Sequence, residues 1–150
     1  MSSTDRIEKQ ITLKAPVSKV WTAITDAKAF SAWFKASFTE PFVEGQVARG
    51  VLTFKGYEGT AIALSIEKIQ PETLFTYRWH PFALDASRDY SSEEKTLVEF
   101  RLASAPGGTL LTIIESGFDK IPASRRAEAF RANDGGWSSQ IKNIEAYVAA

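Results

Sequence analysis

Three side chains stand out as groups that could move a proton or fix the polar end of a ligand: His80, Glu115 and Asp134. His80 is the only histidine and there is no cysteine. Two-histidine metal sites, thiolate or iron–sulfur centres, disulfides and a cysteine nucleophile are therefore excluded. A Ser-His-Asp triad would have to be built around His80 alone. Glu115 alternates with Leu111 and Ile113, which makes it the one ionisable group on an otherwise apolar strand face. Asp134 is the only acid on the apolar stripe of the terminal helix. If both enter one cavity, they form a polar anchor for a ligand or an acid–base pair with raised pKa values. The plain alternatives are a strand-end glutamate in water and an aspartate beside a glycine pair. For His80, a structural or solvated ring is the plain alternative to a ligand-contacting or acid–base one.

Around these groups lie aromatic and apolar residues whose elements should converge: Trp79, Phe100, Phe118, Phe130, Trp137 and Ile141, with Trp33 and Phe34 at the entrance. Aromatics on such faces form core as readily as a binding wall, and a buried indole N–H needs a partner. Arg49 and Arg78 alternate along strands, where exposure is expected. Arg125, Arg126 and Arg131, interleaved with Glu128, read as a solvated helix face, with an anion or acidic-partner patch as the alternative.

The elements that must position these groups can be read from periodicity. Ile7, Ile11 and Leu13 share one face of strand 6–13. Pro16 opens a short helix with Val17, Val20, Trp21 and Ile24 at helical spacing, and Asp26 caps a second carrying Phe30, Trp33 and Phe34. Strands are expected at 46–54, 59–69, 74–80, 96–103 and 109–116, separated by Gly56, Pro71-Glu72 and Pro106-Gly107-Gly108, and paired as an antiparallel meander. Residues 81–94, with Asp85, Ser87, Asp89, Ser91, Ser92 and Glu93, lack periodicity and read as a mobile loop. Pro122 precedes one helical stripe: Ala127, Phe130, Asp134, Trp137, Ile141, Ile144 and Val148. Gly135-Gly136 inside it predict a close approach to another backbone, or a kink.

Composition narrows the partners. With 150 residues, 44% of them hydrophobic, the chain suits one domain, 1–150. Lys plus Arg and Asp plus Glu balance at 18 each, which argues against nucleic acid. The polar start and the lack of an apolar run near the roughly 18 residues of a membrane span predict a cytoplasmic protein. No metal or other cofactor is expected.

A strand, a helix pair, an antiparallel meander and a long terminal helix bury their faces most simply in an α+β helix-grip fold, the sheet curled around the helix. A gap between the two is expected. Ala15-Pro16 with Val20-Trp21, Gly59 to Ile69-Gln70-Pro71, Tyr77-Arg78-Trp79, Thr109-Leu110-Leu111-Thr112, Glu115-Ser116-Gly117-Phe118 and Gly136-Trp137 with Ile141 and Ile144 carry a resemblance over nearly the whole chain. They resemble the family named for the C-terminal domain of the Hsp90 ATPase activator Aha1, in the START/Bet v 1-like superfamily. The stretches 69–81 and 115–118 are similar to members called vanillate demethylase-associated. Reductase chemistry would need a nucleotide-binding glycine motif and cysteine ligands that the chain lacks.

The resemblance implies a helix-grip fold with a hydrophobic cavity and no shared catalytic apparatus. A small hydrophobic or aromatic ligand is the leading expectation, with Trp33, Trp79, His80, Phe100, Glu115, Phe118, Phe130, Asp134, Trp137 and Ile141 as the candidate ligand-binding residues. The alternatives are a module that binds an Hsp90-type chaperone or another protein, and a cavity-based cyclase, dehydratase or hydrolase centred on Glu115, Asp134 or His80. No catalytic residue is assigned.

Overall fold

The computed structural model describes residues 5–83 and 87–149; Asp85 of the expected loop lies outside them. The element order is β1 (Arg6–Leu13), α1 (Val17–Thr25), α2 (Ala27–Phe34), β2 (Ala36–Phe38), β3 (Val47–Leu52), β4 (Ala61–Gln70), β5 (Leu74–Trp79), β6 (Thr96–Ala105), β7 (Gly108–Ser116), a single 3-10 turn (Phe118–Lys120) and α3 (Ala123–Ala149). The seven strands form one antiparallel sheet in the order β1-β7-β6-β5-β4-β3-β2. With α3 gripped by the curved sheet, this is the helix-grip α+β fold.

Local chemistry explains the turns and the curvature. The Asp26 carboxylate accepts the Ala29 N–H at 2.9 Å and so starts α2. Pro106-Gly107 closes the β6–β7 hairpin, with Gly107 at φ 84°, the conformation that the third position of a type II turn requires. In β4 the register shifts between Ile66 and Lys68, so Glu67 is an extra residue, and such a bulge bends and twists its strand. At Gly108 a Cβ would lie 1.8 Å from the Leu13 carbonyl oxygen, so only glycine lets the hairpin start so close to the end of β1.

α1 and α2 fill one end of the grip. Phe30 and Trp33 are fully buried with Phe75, Tyr77 and Phe100 from the sheet, each aromatic contributing about 1.5–3 kcal/mol by burial. The Trp33 indole donates to the Ala23 carbonyl at 2.7 Å, which ties α2 to α1. At the other end the space between sheet and α3 stays open.

The helical stripe sits slightly rotated from its expected position. α3 buries Arg125, Ala129, Trp137, Ile144 and Val148, while Ala127 is exposed. Gly135 and Gly136 make no close approach to another backbone: nothing lies within 4 Å of a Cβ built at either, and α3 runs unbroken through them. Nor are residues 87–93 a loose connection. The Arg125 guanidinium, buried in the first turn of α3, donates to the Pro81 carbonyl at 2.9 Å and pairs with Glu93 at 2.6 Å. The Tyr90 ring lies 4.8 Å from the same group. Arg125 is thus a clasp, not part of a solvated face. No helix of the described residues is long and apolar enough to cross a membrane.

Candidate functional site

The open space is a cavity of about 910 Å³ between α3, the end of α2, strands β3 and β4, and the connections on either side of it. That volume suits one small organic molecule. Phe34, Leu52, Ile62, Trp79 and Trp137 supply apolar wall; Phe54 and Tyr57, whose tilted rings lie 4.8 Å apart, belong to the β3–β4 turn at its rim. Gly136 leaves room where a side chain would otherwise enter.

Behind the wall lies Glu115. It belongs to the row that runs across the sheet through Ile7, Val98 and Tyr77, on the buried face, and it is fully buried. Its Oε2 accepts from the Trp79 indole N–H at 2.7 Å and the Thr96 hydroxyl at 2.5 Å. Its Oε1 accepts from the Trp137 indole N–H at 2.8 Å and the Asn133 amide at 2.9 Å. One carboxyl group thereby fixes two cavity-wall indoles, from β5 and α3, and satisfies donors that burial would otherwise orphan. Burial pushes the Glu115 pKa up, and the four hydrogen bonds pull it part of the way back. The neighbouring Tyr77 hydroxyl, buried with no hydrogen-bond partner among the described residues, is pushed well above its ordinary value by burial and then by Glu115.

Of the ten residues singled out from sequence, Trp79, His80 and Trp137 line the cavity, and Glu115 braces two of them from behind. His80 sits with Nε2 3.2 Å from the Glu93 carbonyl oxygen, at the start of the clasped connection. Phe100 packs 5.8 Å from Trp137 inside the core, and Trp33 is core as well, its neighbour Phe34 taking the cavity face. Phe118 and Phe130 pack edge to face at 5.1 Å, away from the cavity lining, and Ile141 packs against the core. Asp134 does not meet Glu115. Its side chain is half exposed and pairs with Lys9 of β1 at 2.9 Å, so the expected carboxyl pair is not assembled.

Sequence reasoning passed over Asn133 and Thr96, whereas Phe34, expected at the entrance, does line the cavity. The signal for Asn133 was spacing: Ala129, Asn133 and Trp137 follow at four-residue intervals, the stripe that the buried positions actually trace.

The family model described as "Activator of Hsp90 ATPase homolog 1-like protein" matches residues 14–149. The chain belongs to this family. No curated protein matches it. Solved structures of similar fold include a protein from Arthrobacter aurescens (TM-score 0.80, 16% identity, 99% of this chain and 90% of that one). A protein from Chromobacterium violaceum is similar over 99% of both chains (TM-score 0.74, 20% identity). DynU16, from the dynemicin biosynthetic locus, is matched over 97% of this chain at 21% identity (TM-score 0.72), and this chain spans only 48% of its length. These likenesses establish the helix-grip fold of the family member described here.

Proposed function

We propose that this member of the family binds a small hydrophobic or aromatic molecule in the cavity between the sheet and α3. The observation that carries the reading is the braced aromatic wall. Trp79 and Trp137 have their N–H groups satisfied by Glu115, so they offer the cavity ring surface without an unmet polar cost.

Trp137 is a poor place to test this, because its removal would also deprive Glu115 of a donor. Gly136→Leu is cleaner. It puts a side chain into open space beside the cavity and replaces a residue that weakens a helix by about 1 kcal/mol relative to Ala. A thermal-shift screen against phenolic acids, fatty acids and sterols should give hits in the parent protein; ligand at 100 times its Kd adds about 2.7 kcal/mol. Those hits should vanish in Gly136→Leu while the ligand-free Tm holds or rises. Shifts that survive the substitution would place binding elsewhere.

A second reading, docking of a chaperone or other protein, draws on Val47 and Val51. They are 41% and 38% exposed on the face of β3 opposite the core, beside the three-residue edge strand β2. Recovery of a purified Hsp90-type chaperone by the parent protein and not by Val47→Glu/Val51→Glu would support it. A cavity-based reaction centred on Glu115 and Asp134 lacks its geometry, since Asp134 turns to Lys9.

A further inference from the structure

The polar groups on the helix wall of the cavity can be accounted for one by one. α3 contributes Ala132, Asn133, Gly136, Trp137 and Gln140 to the lining. The Trp137 N–H is taken by Glu115. Gln140 is engaged at both ends, its amide donating to the Phe34 carbonyl at 2.8 Å and its oxygen accepting from Asn143 at 3.0 Å. Asn133 donates to Glu115 Oε1, and its own Oδ1 has no partner among the described residues. The opposite indole, Trp79, has no acceptor and has already spent its donor on Glu115.

The orientation of Asn133 follows from its partner. Oε1 of Glu115 receives both the Trp137 N–H and Asn133, so the amide must present its NH2 to the carboxyl and turn its oxygen away. A proton on Glu115 keeps this arrangement when it sits on Oε2, where the Thr96 hydroxyl can accept it, because Oε1 then remains an acceptor for Asn133 and the Trp137 indole. Among the described residues the helix wall thus holds one acceptor without a partner, on a residue bound to the same carboxyl as the two indoles.

Resting on the cavity-binding reading above, we infer that Asn133 is the specificity residue of the site, selecting aromatic ligands whose buried end carries a hydrogen-bond donor, a ring hydroxyl or ring N–H. An aprotic analogue that buries against Asn133 leaves Oδ1 desolvated and unpaired, and sites built this way discriminate strongly.

The test uses matched probes on the full chain: 2-naphthol against 2-methoxynaphthalene, and indole against N-methylindole, titrated by isothermal calorimetry. The expected result is a Kd at least tenfold lower for the donor-bearing member of each pair. In Asn133→Leu that difference should collapse to within about twofold, with binding itself retained. Should Asn133→Leu not fold, Asn133→Ala removes the same oxygen and must lose the preference. Equal affinities within each pair in the parent protein, or a preference that persists in Asn133→Leu, would overturn the role of Asn133 and leave cavity binding standing. If no member of either pair binds the parent protein, this inference falls, and cavity binding stands or falls on the wider screen above.

Discussion

At Glu115, burial and hydrogen bonding pull in opposite directions, and burial wins: the native carboxyl holds its proton more tightly than the unfolded one. Over the interval from the unfolded value near 4.5 up to the raised native value, the native state binds more protons than the unfolded state. The stability contribution of this group is therefore complete below that interval and is lost as pH rises through it. Glu93 has the opposite sign. Its hydrogen bond from Arg125 holds its pKa below the ordinary value, so its contribution is present above that value and lost as pH falls through the native one. Urea unfolding at a series of pH values should show stability declining above about pH 4.5 in the parent protein and a flatter profile in Glu115→Gln. An identical slope in both would mean that Glu115 is not the group that titrates.

Elements depend on a few such residues for their placement. Arg125 and Glu93 join the first turn of α3 to the β5–β6 connection with side chains 8% and 7% exposed, and breaking a buried pair costs about 3–5 kcal/mol. Arg125→Ala should lower stability by that order and speed amide exchange across residues 87–93. Within α3, Gly135 is exposed and has open space around its Cβ position, so Gly135→Ala should raise stability by about 1 kcal/mol, read from the denaturation midpoint. Strands and helices with strong periodicity were legible from sequence, as Ile7, Leu13 and the Asp26 cap illustrate. What escaped were features decided by partners distant in the chain. β2 is three residues long and exists because Gly50 lets Phe38 lie against β3, where a Cβ would fall 2.3 Å from the Ser37 carbonyl oxygen. Lys9 interrupts the apolar face of β1, which was the cue that Asp134 had a cation to meet across the grip. Asn133, between Ala132 and Asp134, carries no local mark of the carboxyl it bonds. Nor does Arg125 differ in sequence from its solvated neighbours.

For the whole molecule, the grip closes only if its strands can approach one another where the chain reverses. β1 is an edge strand held by β7, and the Asp5 backbone carbonyl accepts from Gly117 and Phe118 just beyond the far end of that pair. At the near end Gly108 sits against the Leu13 carbonyl with no room for a methyl group. Gly108→Ala should therefore cost about 3 kcal/mol or more by overpacking against backbone, and circular dichroism melts would register it as a large fall in Tm. The α1–α2 end of the grip is packed solid with aromatics, whereas the end beside Gly136 is not. Substitutions that resize the cavity can accordingly be made at Gly136 or Ile62 while the packed end carries the stability.

The two indoles tied to Glu115 lie close together and are tilted by 36°. Chromophores so near share their electronic excitations, so Trp79 and Trp137 should act as a coupled pair with a paired-sign signature in circular dichroism. That signal is an intrinsic optical gauge of the cavity. It needs no attached dye, it should change when an aromatic guest slides between or beside the rings, and it should disappear when either ring is replaced by phenylalanine.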